Sequence, residues 1–339
     1  MYRRSSLSIA ASLLLCFMLL LSACTSGGTH TNSSNGNTAQ SLNVQGTKEN
    51  VARTVDHQKE STQPSKGTKT VSTIFGDVEI PVQAKRIVAI DYLGSMIALG
   101  VKPVGSSEWL MQNPYLKNKI TGVEDIGESI EKLMDLEPDL ILTLTNKADQ
   151  YEKYSRVAPT VSIPSDRFSS IHEEITFFGQ LLGREDEATA WLEEYDAKIA
   201  AAKEKVNKAL PKETTISVLE DQEKNIYAFG RISGRGGRAL YEALGLPAPE
   251  KVAKELTRTK FYPISKEVLG DYTGDYIVLT TSFKKLEDYQ TDPVWGKLEV
   301  VKTGRVYIWG EETSWFQDPI AVLSQAEMFA EWLVEQSKL

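Results

Sequence analysis

Cysteine and histidine are scarce in this sequence of 339 residues, and their scarcity limits the chemistry available to it. Both cysteines, Cys16 and Cys24, lie near the N-terminus, so the remainder can form neither an internal disulfide nor a cysteine-based zinc site. His30 and His57 fall in a polar stretch, which leaves His172 alone in the part that we expect to fold. A Ser–His–Asp or Cys–His arrangement is then hard to build. We therefore expect no enzymatic activity, no direct metal site and a structural role for His172.

Positive charge is also in deficit, with 38 Lys and Arg against 46 Asp and Glu and a formal net charge of −8. An acidic chain has no long-range attraction for nucleic acid or for an anionic membrane surface. A hydrophobic content of 41% and a charged content of 25% are those of an ordinary globular protein. The length is sufficient for two domains. We expect a folded protein with no nucleic-acid partner.

Long apolar runs are absent except near the N-terminus, where two arginines precede an apolar stretch over residues 7–21. At about 15 residues it is short for a membrane-spanning helix, which needs about 20, but it suits a secretory signal. The stretch ends in Leu-Ser-Ala-Cys at 21–24, which resembles a bacterial lipobox. We predict a lipoprotein signal peptide over 1–23 and lipidation of Cys24. An ordinary signal peptide with an incidental cysteine is the alternative.

Residues 24–68 are predicted to form the lipidated cysteine and a flexible tether. The segment after Cys24 is rich in Ser, Thr, Asn, Gln and Gly and has no aromatic residue. It cannot bury enough surface to offset the entropy lost on ordering.

Strand-like and helix-like segments alternate over residues 69–183, which predicts an α/β lobe with a mostly parallel sheet. A small hairpin opens the lobe, with strands over 70–74 and 78–81. Further strands are predicted over 86–90, 101–105, 140–144 and 160–163. Helices are predicted over 93–99, 129–136 and 151–157, and from residue 168 the apolar residues step by three and four up to 182.

A long amphipathic helix is predicted next, because Trp191, Tyr195 and Ile199 repeat at a spacing of four within an Ala-, Glu- and Lys-rich stretch. Its strongest part, 185–206, spans about 22 residues or about 33 Å, and Pro211 stops it. We assign 184–209 to this interdomain helix and 210–339 to a second α/β lobe. That lobe has predicted strands at 215–219, 226–229 and 276–280 and helices near 237–243, 265–269 and 319–335. The sequence thus predicts two lobes joined by one long helix.

Several segments, in unbroken order from residue 70 to the C-terminus, resemble one known family. They are Pro81 to Gly105 with Arg86-Ile87-Val88, Ile130 to Leu133 leading to Glu137-Pro138-Asp139-Leu140-Ile141, Ile264 to Glu267, Val294 to Leu298 and Val301 to Tyr307. The family is the iron-siderophore and vitamin B12 class of periplasmic-binding-type proteins, which serve ABC importers. The resemblance implies a class III periplasmic-binding-protein fold: two α/β lobes with central sheets flanked by helices, a single rigid interdomain helix, and the ligand between the lobes.

Within that class, the Tyr-Ala-Phe-Gly segment at 227–230 and the Ser-Gly-Arg-Gly-Gly segment at 233–237 resemble the hydroxamate-siderophore binders of Gram-positive bacteria, as does Trp-Phe-Gln-Asp-Pro at 315–319. The resemblance implies that Tyr227, Arg235 and Trp315 line the C-lobe side of the pocket. A guanidinium can donate several hydrogen bonds to the oxygens of a ferric hydroxamate, and aromatic faces can pack on its organic backbone.

One position departs from the hydroxamate binders, because Ser233 stands where close relatives carry another aromatic residue. We read the glycines around Arg235 as a tight strand-to-helix turn. On the N-lobe side, Tyr92, Trp109, Asn146 and Lys147 follow predicted strand ends, where α/β proteins tend to bind ligands. Arg231 is a further candidate on the C-lobe side.

Other ligands stay open at this point. Arg231, Arg235 and Arg238 lie within eight residues and would also suit ferric citrate or a citrate-hydroxamate anion. Cobalamin or heme is a less favoured alternative, as is direct binding of zinc or manganese. We expect no resident cofactor, since the ferric siderophore arrives with its iron already chelated.

The resemblance also implies partners. One glutamate on each lobe, here Glu131 and Glu267, is expected to pair with arginines of an ABC permease that works with an ATPase. Each glutamate lies at a predicted helix start, where it would also interact favourably with the helix dipole. We expect a monomer at the extracellular face of the cell membrane, held there only by its lipid anchor.

The anchor can be tested with Cys24→Ser. Because the thiol is the acylation site of a lipobox, the variant should be released into the medium or remain unprocessed. Detergent phase partitioning and immunoblotting of cell and medium fractions would detect either result. A variant that partitions into detergent like the wild type would contradict the assignment.

Overall fold

The computed structural model describes residues 67–255 and 260–338. The predicted signal peptide, Cys24, most of the predicted tether, His30 and His57 lie outside the described residues. Within the described ranges, no helix combines the length and apolar character needed to cross a membrane.

The first folded element is the predicted hairpin. Strand β1 (Thr68–Thr73) pairs antiparallel with β2 (Gly76–Pro81), so that Val71 lies opposite Val78. Gly76 has a φ of +106°, a conformation open to glycine and strained for other residues. Strand β1 begins at Thr68, the last residue of the predicted tether. Ile80 is fully buried, which joins the hairpin to the main hydrophobic core.

The N-terminal lobe contains a five-stranded parallel sheet in the order β5-β4-β3-β6-β7. Its strands are β3 (Ile87–Ala89), β4 (Gly105–Ser106), β5 (Glu124–Asp125), β6 (Leu140–Thr143) and β7 (Thr160–Ser162). All residues of β3, β6 and β7 are buried, as expected of a parallel sheet covered on both faces. The predicted strand over 101–105 is wrong except at its end. Pro103 has no N–H to donate to a sheet, and pairing begins only at Gly105.

The helices of this lobe are α1 (Leu93–Ala98), α2 (Glu108–Met111), α3 (Ile130–Asp135), α4 (Ala148–Ser155) and α5 (Ile171–Leu182). Helix α3 starts where Ser129 accepts a hydrogen bond from the Lys132 N–H at 3.2 Å, and Ser170 caps α5 in the same way. Helix α5 therefore begins three residues after the start of the predicted periodicity.

The predicted long helix is α6 (Glu185–Ala209), which has 25 residues and is about 37 Å long. Its buried side carries Ala188, Tyr195, Ile199, Ala202 and Val206. This apolar stripe packs against α5 and against the last helix of the chain. Three acidic residues in its first turn interact favourably with the helix dipole.

The C-terminal lobe has a mixed five-stranded sheet in the order β10-β9-β8-β11-β12. Its strands are β8 (Ile216–Asp221), β9 (Ile226–Phe229), β10 (Phe261–Ile264), β11 (Tyr276–Thr280) and β12 (Val306–Trp309). Strands β8, β11 and β12 are parallel, whereas β9 is antiparallel to both its neighbours. The four-residue connection over 222–225 permits only an antiparallel pairing of β8 with β9.

Helices in this lobe are mostly short. They are α7 (Glu250–Glu255), α8 (Leu286–Thr291), α9 (Glu299–Lys302), α10 (Glu311–Ser314) and α11 (Pro319–Gln336). Two predicted helices differ in winding, since Arg238–Ala243 is a π-helical turn and Lys266–Tyr272 is a 3₁₀-helix. Trp295–Lys297 is a further 3₁₀ turn. Helix α11 has Pro319 at its start and is capped by Asp318, whose Oδ1 accepts the Ala321 N–H at 3.2 Å.

The two lobes share one hydrophobic core. A single cluster of buried side chains includes Met96 and Phe178 of the first lobe together with Val218 and Phe329 of the second, along with the buried stripe of α6. The lobes are therefore held together by packed side chains as well as by the connecting helix. The lobe boundaries at 183/184 and 209/210 stay predictions.

A close approach between the lobes makes Gly94 a test of this packing. A Cβ at Gly94 on α1 would lie 2.1 Å from Asp318 Oδ1. We expect Gly94→Ala to lower the free energy of unfolding by about 1–3 kcal/mol, because the capping carboxylate of α11 must move. Gly270→Ala is a matched control, since its Cβ would lie 3.8 Å from the nearest atom, Leu298 Cδ2.

Urea denaturation followed by circular dichroism would compare the two variants. The control should change stability by no more than about 0.5 kcal/mol. Equal stabilities for both variants would show that α1 and α11 do not approach in this way.

Candidate ligand-binding cleft

A cleft of about 230 Å³ lies between the lobes, and strand ends build most of its N-lobe wall. Asp91 and Tyr92 follow β3, Leu144 follows β6, and Phe168 comes after β7. The carboxyl ends of parallel strands meet at this edge, where α/β proteins bind ligands. The C-lobe wall is formed by Ile232, Arg238, Trp315, Phe316, Gln317 and Asp318.

Aromatic side chains from both lobes meet across the cleft. The ring of Trp109 stacks on that of Phe316 with centroids 5.3 Å apart and meets Trp315 edge-on at 6.2 Å. Trp109 is 48% exposed and Trp315 is 45% exposed. Two half-exposed tryptophans facing each other form an apolar surface suited to an organic ligand.

Tyr92 occupies a strained position at the start of α1. Its φ of 66° is left-handed, which is uncommon for a residue with a side chain. Packing holds it there, because the ring lies 5.1 Å from that of Phe178 and the hydroxyl donates to the Ile163 carbonyl at 2.8 Å. Burial raises the pKa of the Tyr92 hydroxyl, with Glu174 adding to the effect. Tyr92 thus presents a neutral aromatic surface to the cleft.

Arg235 lies behind Trp315 and has no solvent exposure. Its guanidinium forms an ion pair with Glu220, and its carbon lies 3.3 Å from the centroid of the Trp315 ring. Glu311 is 3.9 Å away. Burial lowers the pKa of Arg235, and the pairing with Glu220 opposes that shift. Two of its donors, Nε and Nη1, have no hydrogen-bond partner among the described residues.

The segment around Arg235 is a tight turn, as the glycine pattern predicts. Ser233 is buried and donates to the Gly230 carbonyl at 2.5 Å. A Cβ at Gly237 would lie 2.2 Å from that carbonyl oxygen, so this position requires glycine. Ser233 therefore forms part of the turn and carries no aromatic surface.

Three predicted C-lobe residues lie outside the cleft lining: Tyr227, Arg231 and Arg235, the last of which is buried behind Trp315. Tyr227 is half-buried on β9, where its ring meets Phe261 edge-on at 5.8 Å. Arg231 is exposed after the same strand. Of the predicted residues, the structure brings Tyr92, Trp109 and Trp315 together and places Arg235 directly behind Trp315. Asn146 and Lys147 are exposed and are not part of the lining. The ligand contacts of all these residues stay predictions.

A buried ionic network that the sequence analysis missed forms the base of the cleft. Arg238 Nη1 lies 2.9 Å from Glu174 Oε2 on α5, and Arg238 Nε lies 3.1 Å from Glu242 Oε2. Ser95 on α1 donates to Glu174 at 2.6 Å. Burial opposes the charged form of Arg238, but the two carboxylates outweigh it and raise its pKa. The network links helices of the first lobe to the π-helical turn of the second.

His172 lies outside this network. It is exposed on α5, and its Nε2 is 2.9 Å from Asp196 Oδ1 on α6. This surface contact between two helices agrees with the structural role predicted for it.

The family is established by direct comparison. Residues 87–313 match the periplasmic binding protein family. Because the match spans more than half of the sequence, the chain belongs to the periplasmic binding protein family.

Two relatives that are similar to most of this chain are named for hydroxamate binding. The iron(3+)-hydroxamate-binding protein FhuD of Bacillus subtilis is 38% identical over 288 residues, which cover 82% of this chain and 90% of the relative. The iron(3+)-hydroxamate-binding protein YxeB of the same organism is 33% identical over 279 residues, covering 80% of this chain and 86% of the relative.

Solved structures of similar proteins point to the same family. A FhuD-fold binding component of a ferrichrome ABC transporter from Bacillus subtilis has a TM-score of 0.71 at 37% identity, covering 78% of this chain and 100% of its own. FhuD2 of Staphylococcus aureus with bound ferrioxamine B has a TM-score of 0.68 at 29% identity, covering 75% and 99%. These similarities confirm the predicted family, the two-lobe fold with its long helix, and the resemblance to hydroxamate-siderophore binders.

Proposed function

We propose that this protein binds a ferric hydroxamate siderophore in the interlobe cleft and delivers it to an ABC importer. The observation that carries the proposal is the pair of half-exposed tryptophans, Trp109 and Trp315, facing each other from the two lobes in front of a buried arginine. The iron arrives chelated, so the protein needs aromatic surface and a few donors. Relatives named for hydroxamate binding support the choice of ligand.

The charges around the cleft favour a neutral ferric trihydroxamate over ferric citrate. Fe³⁺ with three hydroxamate monoanions has no net charge, whereas ferric citrate complexes are anionic. Arg235 is already paired with Glu220, and Arg238 with Glu174 and Glu242. The two buried arginines therefore supply little uncompensated positive charge to an anion, and the third, Arg231, is not part of the cleft lining. The pairing of Arg235 and Arg238 therefore weighs against the citrate alternative that the sequence leaves open.

Tryptophan fluorescence tests the ligand class. The mature chain would be titrated with a ferric trihydroxamate, ferric citrate, cobalamin and heme, monitoring quenching of the intrinsic tryptophan fluorescence, to which Trp109 and Trp315 contribute. We expect the ferric trihydroxamate to bind at least tenfold more tightly than the other three. Tighter binding of any of them would overturn the proposal.

Arg235 and Trp315 give a sharper test. If Arg235 donates to ligand oxygens, Arg235→Ala should weaken binding about ten- to hundredfold, because a hydrogen bond to a charged group is worth roughly 1.5–3 kcal/mol. Arg235→Lys should restore only part, since an ammonium cannot reproduce the guanidinium fork. Trp315→Phe should cost less affinity than Trp315→Ala, because most of the packing area survives.

Removing Arg235 also leaves Glu220 buried without its partner, which by itself is destabilising. Arg235→Ala should therefore also be made together with Glu220→Gln, and circular dichroism should show that each variant is folded. Wild-type affinity in the folded double variant would place the ligand contacts elsewhere.

We propose that Glu131 and Glu267 dock the protein onto its permease. Both side chains are exposed, one on each lobe. The pKa of Glu131 is lowered by its own backbone N–H and the Ser129 hydroxyl, and that of Glu267 by the Ser265 hydroxyl and its own backbone N–H. Both are therefore negatively charged near neutral pH. Ser129 already caps α3, so capping does not by itself require Glu131.

The docking assignment predicts that Glu131→Ala combined with Glu267→Ala abolishes uptake while ligand affinity stays within about twofold, or ~0.4 kcal/mol. A matched control combines Asp149→Ala with Glu287→Ala, which removes one exposed first-turn acid from each lobe. Uptake of the radiolabelled ferric chelate by whole cells would be measured for both. Normal transport by the first variant, or equal loss in the control, would refute the assignment.

A further inference from the structure

One carboxylate in the cleft has neither a counter-charge nor, on one of its oxygens, a hydrogen-bond partner among the described residues. Asp91 follows β3 and lines the cleft, and its Oδ2 accepts the Leu144 N–H at 2.8 Å and the Thr143 hydroxyl at 3.2 Å. Within residues 67–255 and 260–338, its Oδ1 has no hydrogen-bond partner, and no Lys, Arg or His nitrogen lies within 4 Å of either oxygen. Burial raises the pKa of this carboxyl, with the two hydrogen bonds opposing the shift. The anion is therefore held at a cost that an added cation would reduce.

The other cleft carboxylates are satisfied. Glu174 pairs with Arg238 at 2.9 Å. Asp318 accepts the Asn113 amide at 2.7 Å through Oδ2 and caps α11 through Oδ1. The four charged groups of the lining are thus three acids and one base. Of the three acids, Asp91 is the one with an oxygen that has no hydrogen-bond partner among the described residues.

The surroundings of Asp91 are apolar on one side. Leu144, whose N–H it accepts, is 43% exposed, and the cleft continues to Phe168 and Trp109. An exposed aliphatic side chain next to an unpaired carboxylate fits an alkylammonium group. The methylenes of such a group can pack on the aliphatic side chain, while its three N–H donors reach the carboxylate.

We propose that Asp91 binds a primary ammonium group carried by the ferric hydroxamate, so that the protein prefers cationic ferric trihydroxamates over otherwise identical neutral ones. This specificity rests on the proposed function. Asp91 would then select among hydroxamates, whereas the aromatic walls bind the whole class.

A thermodynamic cycle that removes the charge of Asp91 and the charge of the ligand, separately and together, isolates the interaction between the carboxylate and the ammonium group. Wild type and Asp91→Asn would each be titrated with ferrioxamine B, which ends in a free primary amine, and with its N-acetylated derivative, which is neutral. The wild type should bind the amine about three- to tenfold more tightly than the acetylated form, the range for a partly exposed charged hydrogen bond. Asp91→Asn should bring the two affinities within about twofold, because asparagine keeps an acceptor for Leu144 but loses the charge.

Two further variants complete the cycle. Asp149→Asn removes an exposed acid of α4 outside the cleft and should leave the wild-type ratio unchanged. Asp91→Ser offers a smaller acceptor if Asp91→Asn folds poorly, and it should also abolish the preference.

Equal affinities of the wild type for the two ligands would overturn the inference even without any variant. A preference that persists in folded Asp91→Asn or Asp91→Ser would overturn it as well. Failure of the wild type to bind either chelate would instead refute the proposed function.

Discussion

A buried guanidinium, that of Arg238, joins the three segments from which the cleft is built. It contacts Glu174 on α5 and Glu242 in its own π-helical turn, and its Nη1 donates to the Gln317 carbonyl at 3.0 Å. Gln317 directly follows Trp315 and Phe316, so this bond also positions the aromatic wall of the C-lobe. A buried charge without partners costs several kcal/mol, and here two carboxylates and a carbonyl offset that cost. Moving the π-helical turn relative to α5 would break charged hydrogen bonds, which ties the geometry of the cleft to the contact between the lobes.

Periodicity and residue type predict the parts of this fold that long local patterns specify. The buried strand β3 and the long helix α6 follow from continuous apolar runs and from a spacing of four, respectively. Strand β10 escapes such analysis because it is mostly exposed and contains Pro263, so only its pairing with β9 makes it a strand. Strands β4 and β5 have two residues each, too few for any periodicity. The π winding of Arg238–Ala243 depends on the tight turn before it and on tertiary packing, which local propensity does not encode.

In the site as well, local sequence patterns predict some features, and others depend on tertiary contacts. Tyr92 and Trp109 can be predicted because they come after strand ends, and Trp315 from a family resemblance. Their meeting across the lobes depends on tertiary contacts. Glu174 is an acid inside the apolar stripe of α5 between Ile171 and Phe178, and a charge in such a stripe implies a buried partner, which is the sequence signal for the ionic network. Asp91 immediately precedes Tyr92 at the same strand end, and that position was the available signal.

The contact between Trp315 and Arg235 bears on how a ligand would enter. The indole covers the guanidinium at 3.3 Å, and a desolvated cation–π contact of this kind is worth about 2 kcal/mol. Nε and Nη1 of Arg235 have no acceptors in the part of the chain that the structure describes, and an unsatisfied buried donor costs roughly 1–3 kcal/mol. The free energy gained from the cation–π contact is therefore about equal to, or smaller than, the free energy lost at the two unsatisfied donors. Under the proposed function, a ligand that displaced the indole would lose little free energy, because its oxygens would satisfy the two donors while its organic part packed on the displaced ring. A site in which Trp315 covers Arg235 is thus compatible with binding of an oxygen-rich chelate. The ion pair with Glu220 would hold Arg235 in place while the ligand replaced the indole.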